Sequence, residues 1–262
     1  METDFFKRGW CAFGPDLILT EWLDHAAPII RATINDPAHA EWLRCGGTWF
    51  AGVNVLENDA QAALPGGKLL AGAAIDFITN TLNLSGFAWD KAQISVCYPG
   101  YPQPWDGESD AAFGYRKNRD AAHVDGLLKE RPDNRRFLRE HHGFILGIPV
   151  SDADPDASPL VIWEGSHEIV RTAFTERFGG IPPDQWADED VTDAYHAVRR
   201  TIFETCRRVP IHVKPGEAFI VHRLALHGVA PWAEGAKADV DGRIIVYFRP
   251  GVGGPTDWLS AP

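Results

Sequence analysis

The residues best placed for chemistry lie in Arg119-Asp120-Ala121-Ala122-His123-Val124-Asp125-Gly126. His123 and Asp125 are two residues apart, so in an extended segment both side chains leave from the same face. An imidazole beside a carboxylate makes up two of the three ligands of the 2-His-1-carboxylate triad, which holds a non-heme Fe(II) with open positions. A His-x-Asp pair also arises by chance in many proteins, so its meaning depends on a third ligand elsewhere in the chain. Two histidines about a hundred residues later are candidates, in Ala218-Phe219-Ile220-Val221-His222-Arg223-Leu224-Ala225-Leu226-His227-Gly228. In one unbroken strand they have opposite parity, so only one faces a given site. His227 is preferred, because the glycine after it permits close backbone approach. His222 then reads as a structural histidine.

The last apolar stretch adds charge to this picture. Counting by two places Arg243, Ile245, Tyr247 and Arg249 on one strand face, with Ile244, Val246 and Phe248 on the other. A guanidinium buried without a partner costs several kcal/mol, roughly, so an anion should meet at least one of these arginines. A carboxylate, bound bidentately, is the natural match. Ordinary Arg–Asp or Arg–Glu bridges at a sheet end satisfy the same pattern.

Several elements must position these groups. Gly14-Pro15-Asp16 precedes a helix, with Leu19, Trp22, Leu23, Ala26, Ile29, Ile30 and Ile34 on its apolar stripe. Leu69 to Leu82 reads as a second helix, and the segments 48–55 and 92–98 read as strands. Pro99 to Arg119 reads as a loop leading into the His-x-Asp. Lys129 to His142 carries Lys129, Arg131, Arg135, Arg136 and Arg139. It is either a solvated loop or short helix, or a basic patch that receives an acidic substrate. Phe144 to Val150 and Leu160 to Trp163 are buried strands, while Asp188 to Arg208 repeats apolar residues at helical spacing. The region about 170–208 therefore looks like a helical insertion among strands, either covering the site or flanking it. Helices first and then strands point to an α+β protein with helices packed on a β core.

Composition narrows the partners. The 262 residues carry 25 Lys+Arg against 36 Asp+Glu, a net charge of −11, which disfavours nucleic acid and anionic membranes. Four scattered cysteines without a CxxC pair suit a reducing cytoplasm, and no signal peptide or transmembrane run is legible.

Taken together, His123-x-Asp125, His227 and a following strand with Arg243 resemble the Fe(II)/2-oxoglutarate-dependent dioxygenases, in particular the phytanoyl-CoA dioxygenase-like family. Leu160-Val161-Ile162-Trp163-Glu164-Gly165-Ser166-His167 resembles that family's apolar strand ending in Pro-Gly-Ser-His. Gly216-Glu217-Ala218-Phe219 through Leu226-His227-Gly228 resembles its strand carrying the distal ligand. The similarity spans about 93–250. It implies one dioxygenase domain over 1–262: a mainly helical flank (1–92) and a double-stranded β-helix, a cupin-like jelly roll, over 93–250. It further implies Fe(II) held by His123, Asp125 and His227, with 2-oxoglutarate and O2 as co-substrates. Arg243 would pair with the distal carboxylate of 2-oxoglutarate, and Arg249, spaced as in the paired arginines of alkylation-repair dioxygenases, would be a second contact. The implied reaction hydroxylates a C–H bond of a small molecule and releases succinate and CO2. Glu164 replaces a proline of the pattern, and Val229 stands where many members place a serine that bonds the co-substrate. Asp125 argues against a halogenase, which leaves this position open for halide. Trp105, Trp163 and Trp232 are candidate pocket walls. The competing readings are a cupin-like dioxygenase without 2-oxoglutarate, which needs no Arg243, and a catalytically silent binding domain, which needs no metal ligands.

Overall fold

The computed structural model describes residues 2–105 and 107–262. In chain order the strands are β1 (Trp10–Phe13), β2 (Leu43–Arg44), β3 (Trp49–Gly52), β4 (Gln93–Cys97), β5 (Leu127–Glu130), β6 (Arg135–Leu138), β7 (Phe144–Pro149), β8 (Leu160–Trp163), β9 (Arg208–Ile211), β10 (Ala218–His222), β11 (His227–Val229) and β12 (Arg243–Phe248). The helices are α1 (Glu2–Arg8), α2 (Leu17–Ile34), α3 (Ala73–Asp76), α4 (Asp110–Asn118), α5 (Ser166–Phe178), α6 (Thr192–Thr205) and α7 (Pro255–Ser260). No helix among the described residues is long and apolar enough to cross a membrane.

Two antiparallel sheets form the core. The larger runs β1-β10-β7-β12-β4-β3-β2 and the smaller runs β11-β8-β9. From β7 onward the chain alternates between them, passing from β7 to β8 and β9, back to β10, over to β11 and back to β12. This is a jelly roll. The period-two pattern of each strand decides which layer it feeds. Ile145, Phe219, Val221, Ile245 and Tyr247 from the larger sheet meet Leu160, Ile162 and Ile211 from the smaller one, filling the space between them. The alternate residues Ile94, Val96, Leu146, Ile148, Ile220, Ile244, Val246 and Phe248 pack outward on the α2 stripe of Leu19, Trp22, Leu23, Ala26 and Ile30. Asp16 caps α2 by accepting from the Ile18 and Leu19 amides. Behind the smaller sheet, Val161 and Trp163 pack on Val170, Phe174, Tyr195, Val198 and Ile202 of α5 and α6. The order of layers is helix, sheet, sheet, helices.

Several sequence expectations shift. The N-terminal region contributes β1, β2 and β3 to the larger sheet as well as its helices. The expected helix over 69–82 shrinks to α3 and a π-turn at Phe77–Thr81. The loop before the His-x-Asp contains α4, capped by Ser109 and anchored by the buried Arg116 against Glu108 and Cys45. The Cys45 contact is 71 residues away in sequence, which hides it from local pattern. Lys129 to His142 holds a hairpin, β5–β6, whose two central residues Lys129 and Arg136 stand directly opposite each other. The helix expected over 188–208 is α6, and the chain from Arg208 is already strand β9. The insertion contains two helices, the first beginning at Ser166.

Candidate metal centre

The stretch expected as one strand over 218–227 is two, β10 and β11, belonging to different sheets. The intervening turn removes the parity argument that separated His222 from His227. His227 opens β11, and a reciprocal backbone pair joins it to His123: the His123 amide donates to His227 O (2.8 Å) and the His227 amide to His123 O (3.0 Å). The ligand-bearing loop is thereby sewn to the sheet as an extra rung. His123 is preceded by two non-glycine residues in the left-handed region, Asp120 (φ 54°) and Ala121 (φ 53°). Each costs on the order of 1 kcal/mol, so other contacts must hold them there. They are present: Arg208 grips the Asp120 carboxylate with two bonds (2.7 and 2.9 Å), and the Val229 amide donates to Asp120 O (2.8 Å). A Cβ on Gly228 would collide with that same Asp120 carbonyl, so this glycine is required for close approach. Gly126 (φ 83°) turns the chain out of the site, and a Cβ there would strike Glu140 O.

These constraints bring three donors together. Asp125 Oδ1 lies 3.2 Å from His123 Nε2 and 3.8 Å from His227 Nε2. One ligand atom from each of the three residues lies within 4.8 Å of the other two, a spacing suited to a metal ion. The tautomers suit it too. His123 Nδ1 meets Ala121 O at 3.0 Å and His227 Nδ1 meets Ala225 O at 2.9 Å. Each Nδ1 therefore carries the proton, and each Nε2 presents its lone pair to the centre. Burial pushes the His227 imidazole down to about 4, against the opposing pull of Asp125, so it is neutral at pH 7. Burial alone would raise the Asp125 carboxyl, but Arg249, His227 and His123 outweigh it and hold the group well below the usual carboxylate range. The side chains of His227 and Asp125 are each 6% exposed and that of His123 is 45% exposed, so the centre opens past His123.

The centre sits on a cavity of about 230 Å³. Trp49, Ile145, Leu160 and Val229 supply apolar wall, while Gln93, Ser95 and Tyr247 supply polar groups. Gln93, Ser95 and Cys97 alternate inward along β4, opposite Tyr247, Ile245 and Arg243. Simple parity on the expected strand would have found them. The Ser95 hydroxyl accepts from Trp49 Nε1 at 3.2 Å. Trp105, Trp163 and Trp232 are not on this cavity: Trp105 stacks on Arg116, Trp163 lies in the helical layer, and Trp232 packs near Cys45, Cys97 and Tyr101.

The two arginines differ in place. Arg249 lines the cavity, with Nη1 3.4 Å from Asp125 Oδ2. Its backbone amide donates to both Asp90 oxygens (2.9 and 3.1 Å). Arg243 is 4% exposed and is not among the residues lining this cavity; it is buried beside the Tyr247 phenol, with Nη2 3.2 Å from Cys97 Sγ. Burial pushes the Cys97 thiol up, so it stays neutral. Arg243 Nε and Nη1 and the Tyr247 hydroxyl have no hydrogen-bond partner among the described residues. A buried cation with spare donors and no carboxylate calls for an anionic group, so the donor set fits both a divalent ion and a carboxylate-bearing co-substrate. Of the basic run, Arg135 pairs with Asp190 and Arg139 with Glu130, and none of its residues lines the cavity.

No protein-family model matches the sequence, and no curated protein matches it. Solved structures do resemble the fold. The non-heme alpha ketoglutarate dependent carbocyclase SnoK from nogalamycin biosynthesis aligns with a TM-score of 0.48 and 11% identity, covering 96% of this chain and 86% of that one. AviO1 from Streptomyces viridochromogenes Tue57 aligns at 0.46 and 18%, covering 100% and 96%. EctD from S. alaskensis, solved with 2-oxoglutarate and 5-hydroxyectoine, aligns at 0.49 and 15%, covering 95% and 74%. These are likenesses in the course of the chain. The chemistry of the site stands on the positions of His123, Asp125, His227 and the two arginines.

Proposed function

We propose that this chain is a non-heme Fe(II)- and 2-oxoglutarate-dependent oxygenase that hydroxylates a C–H bond of a small molecule. The supporting observation is one barrel that holds both a His–Asp–His cluster and a buried guanidinium without a carboxylate partner. His123 Nε2, His227 Nε2 and Asp125 would hold the iron, with the remaining positions left for co-substrates. Arg243 and Tyr247 would take the distal carboxylate of 2-oxoglutarate, where a bidentate acceptor satisfies their spare donors. Arg249 keeps Asp125 ionised and adds a second cation at the cavity. Bound together, iron and 2-oxoglutarate supply the oxidising power drawn from O2, and the co-substrate leaves as succinate and CO2. The chain's share is to present the Nε2 atoms of two imidazoles, fix the carboxylate and line the approach with Trp49, Ile145 and Leu160. A cupin-like dioxygenase that uses the triad alone leaves Arg243 unexplained, and a silent binding domain leaves the preset histidine tautomers unexplained. The same proposal takes the enzyme to be cytoplasmic and free of nucleic-acid partners, on the net charge of −11 and the free cysteines.

The test is anaerobic. Fe(II) with 2-oxoglutarate should give a weak visible metal-to-ligand band, lost in His123→Ala and in Asp125→Ala. Arg243→Ala should raise the 2-oxoglutarate concentration needed for that band far more than Arg249→Ala does. A folded wild-type protein without the band would overturn the co-substrate assignment, and the reverse order of the arginines would move the anchor to Arg249.

A further inference from the structure

A second charged feature lies outside the barrel, and the proposed reaction makes no use of it. Lys129 on β5 and Arg136 on β6 are a directly opposed cross-strand pair, and Arg199 of α6 approaches them from the helical layer. Like charges placed opposite each other destabilise a hairpin unless something neutralises them. Among the described residues nothing does so. Among the described residues, no carboxylate forms an ion pair with Lys129, Arg136 or Arg199, although the chain carries an excess of acidic residues. Arg135 and Arg139, their neighbours on the same hairpin, are each paired.

The cations are fixed in place. The Arg136 guanidinium lies 4.5 Å from the Tyr195 ring centre, and that of Arg199 lies 4.5 Å from Tyr115 and 5.3 Å from Tyr195. Arg136 Nη1 donates to Leu127 O (2.6 Å), while its Nε is buried without a partner. The cations also add to the effect of burial on Lys129 and on the neighbouring His196. Lys129 is pushed down by burial, then by Arg136 and Arg199. His196 is pushed down by burial, then by Arg199, Arg136 and Lys129, with Asp193 the acidic group opposing them. Lys129 is exposed and both arginines are half-buried, so the cluster is open to solvent.

We propose that Lys129, Arg136 and Arg199 form a binding site for a phosphate-type oxyanion, separate from the His–Asp–His cavity. Three unpaired cations suit a group carrying about −1.5 to −2 charges better than a single carboxylate. The faces of Tyr115 and Tyr195 are taken up by guanidinium groups, so recognition is by charge and hydrogen bonding, with no ring left open to stack a nucleobase. The site borders the ligand-bearing loop: Tyr115 Oη donates to Ala122 O (2.7 Å), and Arg136 holds Leu127 O at its other end.

The site does not depend on the proposed oxygenase activity, and its test uses no turnover. The full chain is titrated with inorganic phosphate by calorimetry, against chloride at matched ionic strength. Wild type should bind phosphate saturably at one site, and Arg199→Gln and Lys129→Gln should each weaken it about tenfold or more, as loss of a charge-assisted bond requires. Arg135→Gln, whose guanidinium is already engaged, should leave the affinity unchanged. Arg136 is not substituted, because it also supports the backbone at Leu127. Absence of saturable binding to wild type overturns the proposal. So does phosphate binding that survives both substitutions, or that is lost instead in Arg243→Gln, which would assign the anion to the barrel.

Discussion

The molecule contains two close pairs of histidines, one on each side of the turn at 223–226. His123 and His227 have ring centres 4.6 Å apart, and His167 and His222 have theirs 4.8 Å apart. Proximity is therefore the same, and everything else differs. In the first pair each Nδ1 meets a carbonyl, which leaves both Nε2 atoms free beside the Asp125 carboxylate and a cavity. In the second pair three of the four ring nitrogens meet protein groups, and His167 Nδ1 is buried without a partner among the described residues. His222 Nδ1 accepts from the Leu224 amide (3.0 Å), its Nε2 faces Arg171 Nη2 (2.9 Å), and His167 Nε2 donates to Phe6 O (3.0 Å). The charges are also arranged differently: Asp125 stands between the first two, whereas Arg171 and Arg223 flank His222 and the exposed Glu168 carboxylate reaches only His167 Nε2, at 3.5 Å. Two adjacent imidazoles suit a cation when a carboxylate and spare lone pairs come with them. Surrounded by arginines, they are packing.

The largest expected effect tests that distinction directly. Asp125→Ala should lower Mn(II) affinity, measured anaerobically by calorimetry, by more than about 100-fold, since loss of a ligand should exceed loss of an outer partner. His222→Phe should leave it unchanged, and equal losses in the two variants would erase the contrast. Next comes stability. His222→Ala opens a cavity in a fully packed region and frees the Leu224 amide, for a cost of about 2–3 kcal/mol in denaturant unfolding. His123→Ala, at the open mouth, should cost clearly less, and a larger loss there would show that the metal site also carries the fold. The smallest effect concerns pH. Burial first, then Arg223, His167 and Arg171, hold the His222 imidazole well below its ordinary 6.5. The unfolded chain takes up that proton as pH falls below about 6.5 while the folded protein does not, so the contribution is complete above that pH and declines below it. His222→Phe should make the fall in urea midpoint between pH 7 and pH 5 shallower. An unaltered slope would mean that another group dominates the acid limb.

The alternation of β12 was legible because a strand has a fixed period: Arg243, Ile245 and Tyr247 do face the barrel, and Ile244, Val246 and Phe248 do face α2. The need for glycine after His227 was legible for a similar reason, and the neighbour that enforces it is the Asp120 carbonyl. The break between His222 and His227 was not. The run 218–227 has no glycine or proline, and its polar residues His222 and Arg223 are buried like their apolar neighbours, so neither of the usual marks of an exposed turn is present. The β5–β6 hairpin hid for the opposite reason: its outward face is so charged that it has the composition of a loop.

By itself, then, the sequence determined what depends on local period and residue chemistry: the α2 stripe, the alternating strands, the His-x-Asp pair on one face, and the cations that must find anions. The tertiary structure decided which distant groups meet. It set His227 rather than His222 across from His123, left Arg243 buried without a carboxylate partner among the described residues, and gathered Lys129, Arg136 and Arg199 in one place. Those outcomes come from closing two sheets on each other and packing α6 behind them, and no local pattern encodes contacts between residues so far apart in the chain.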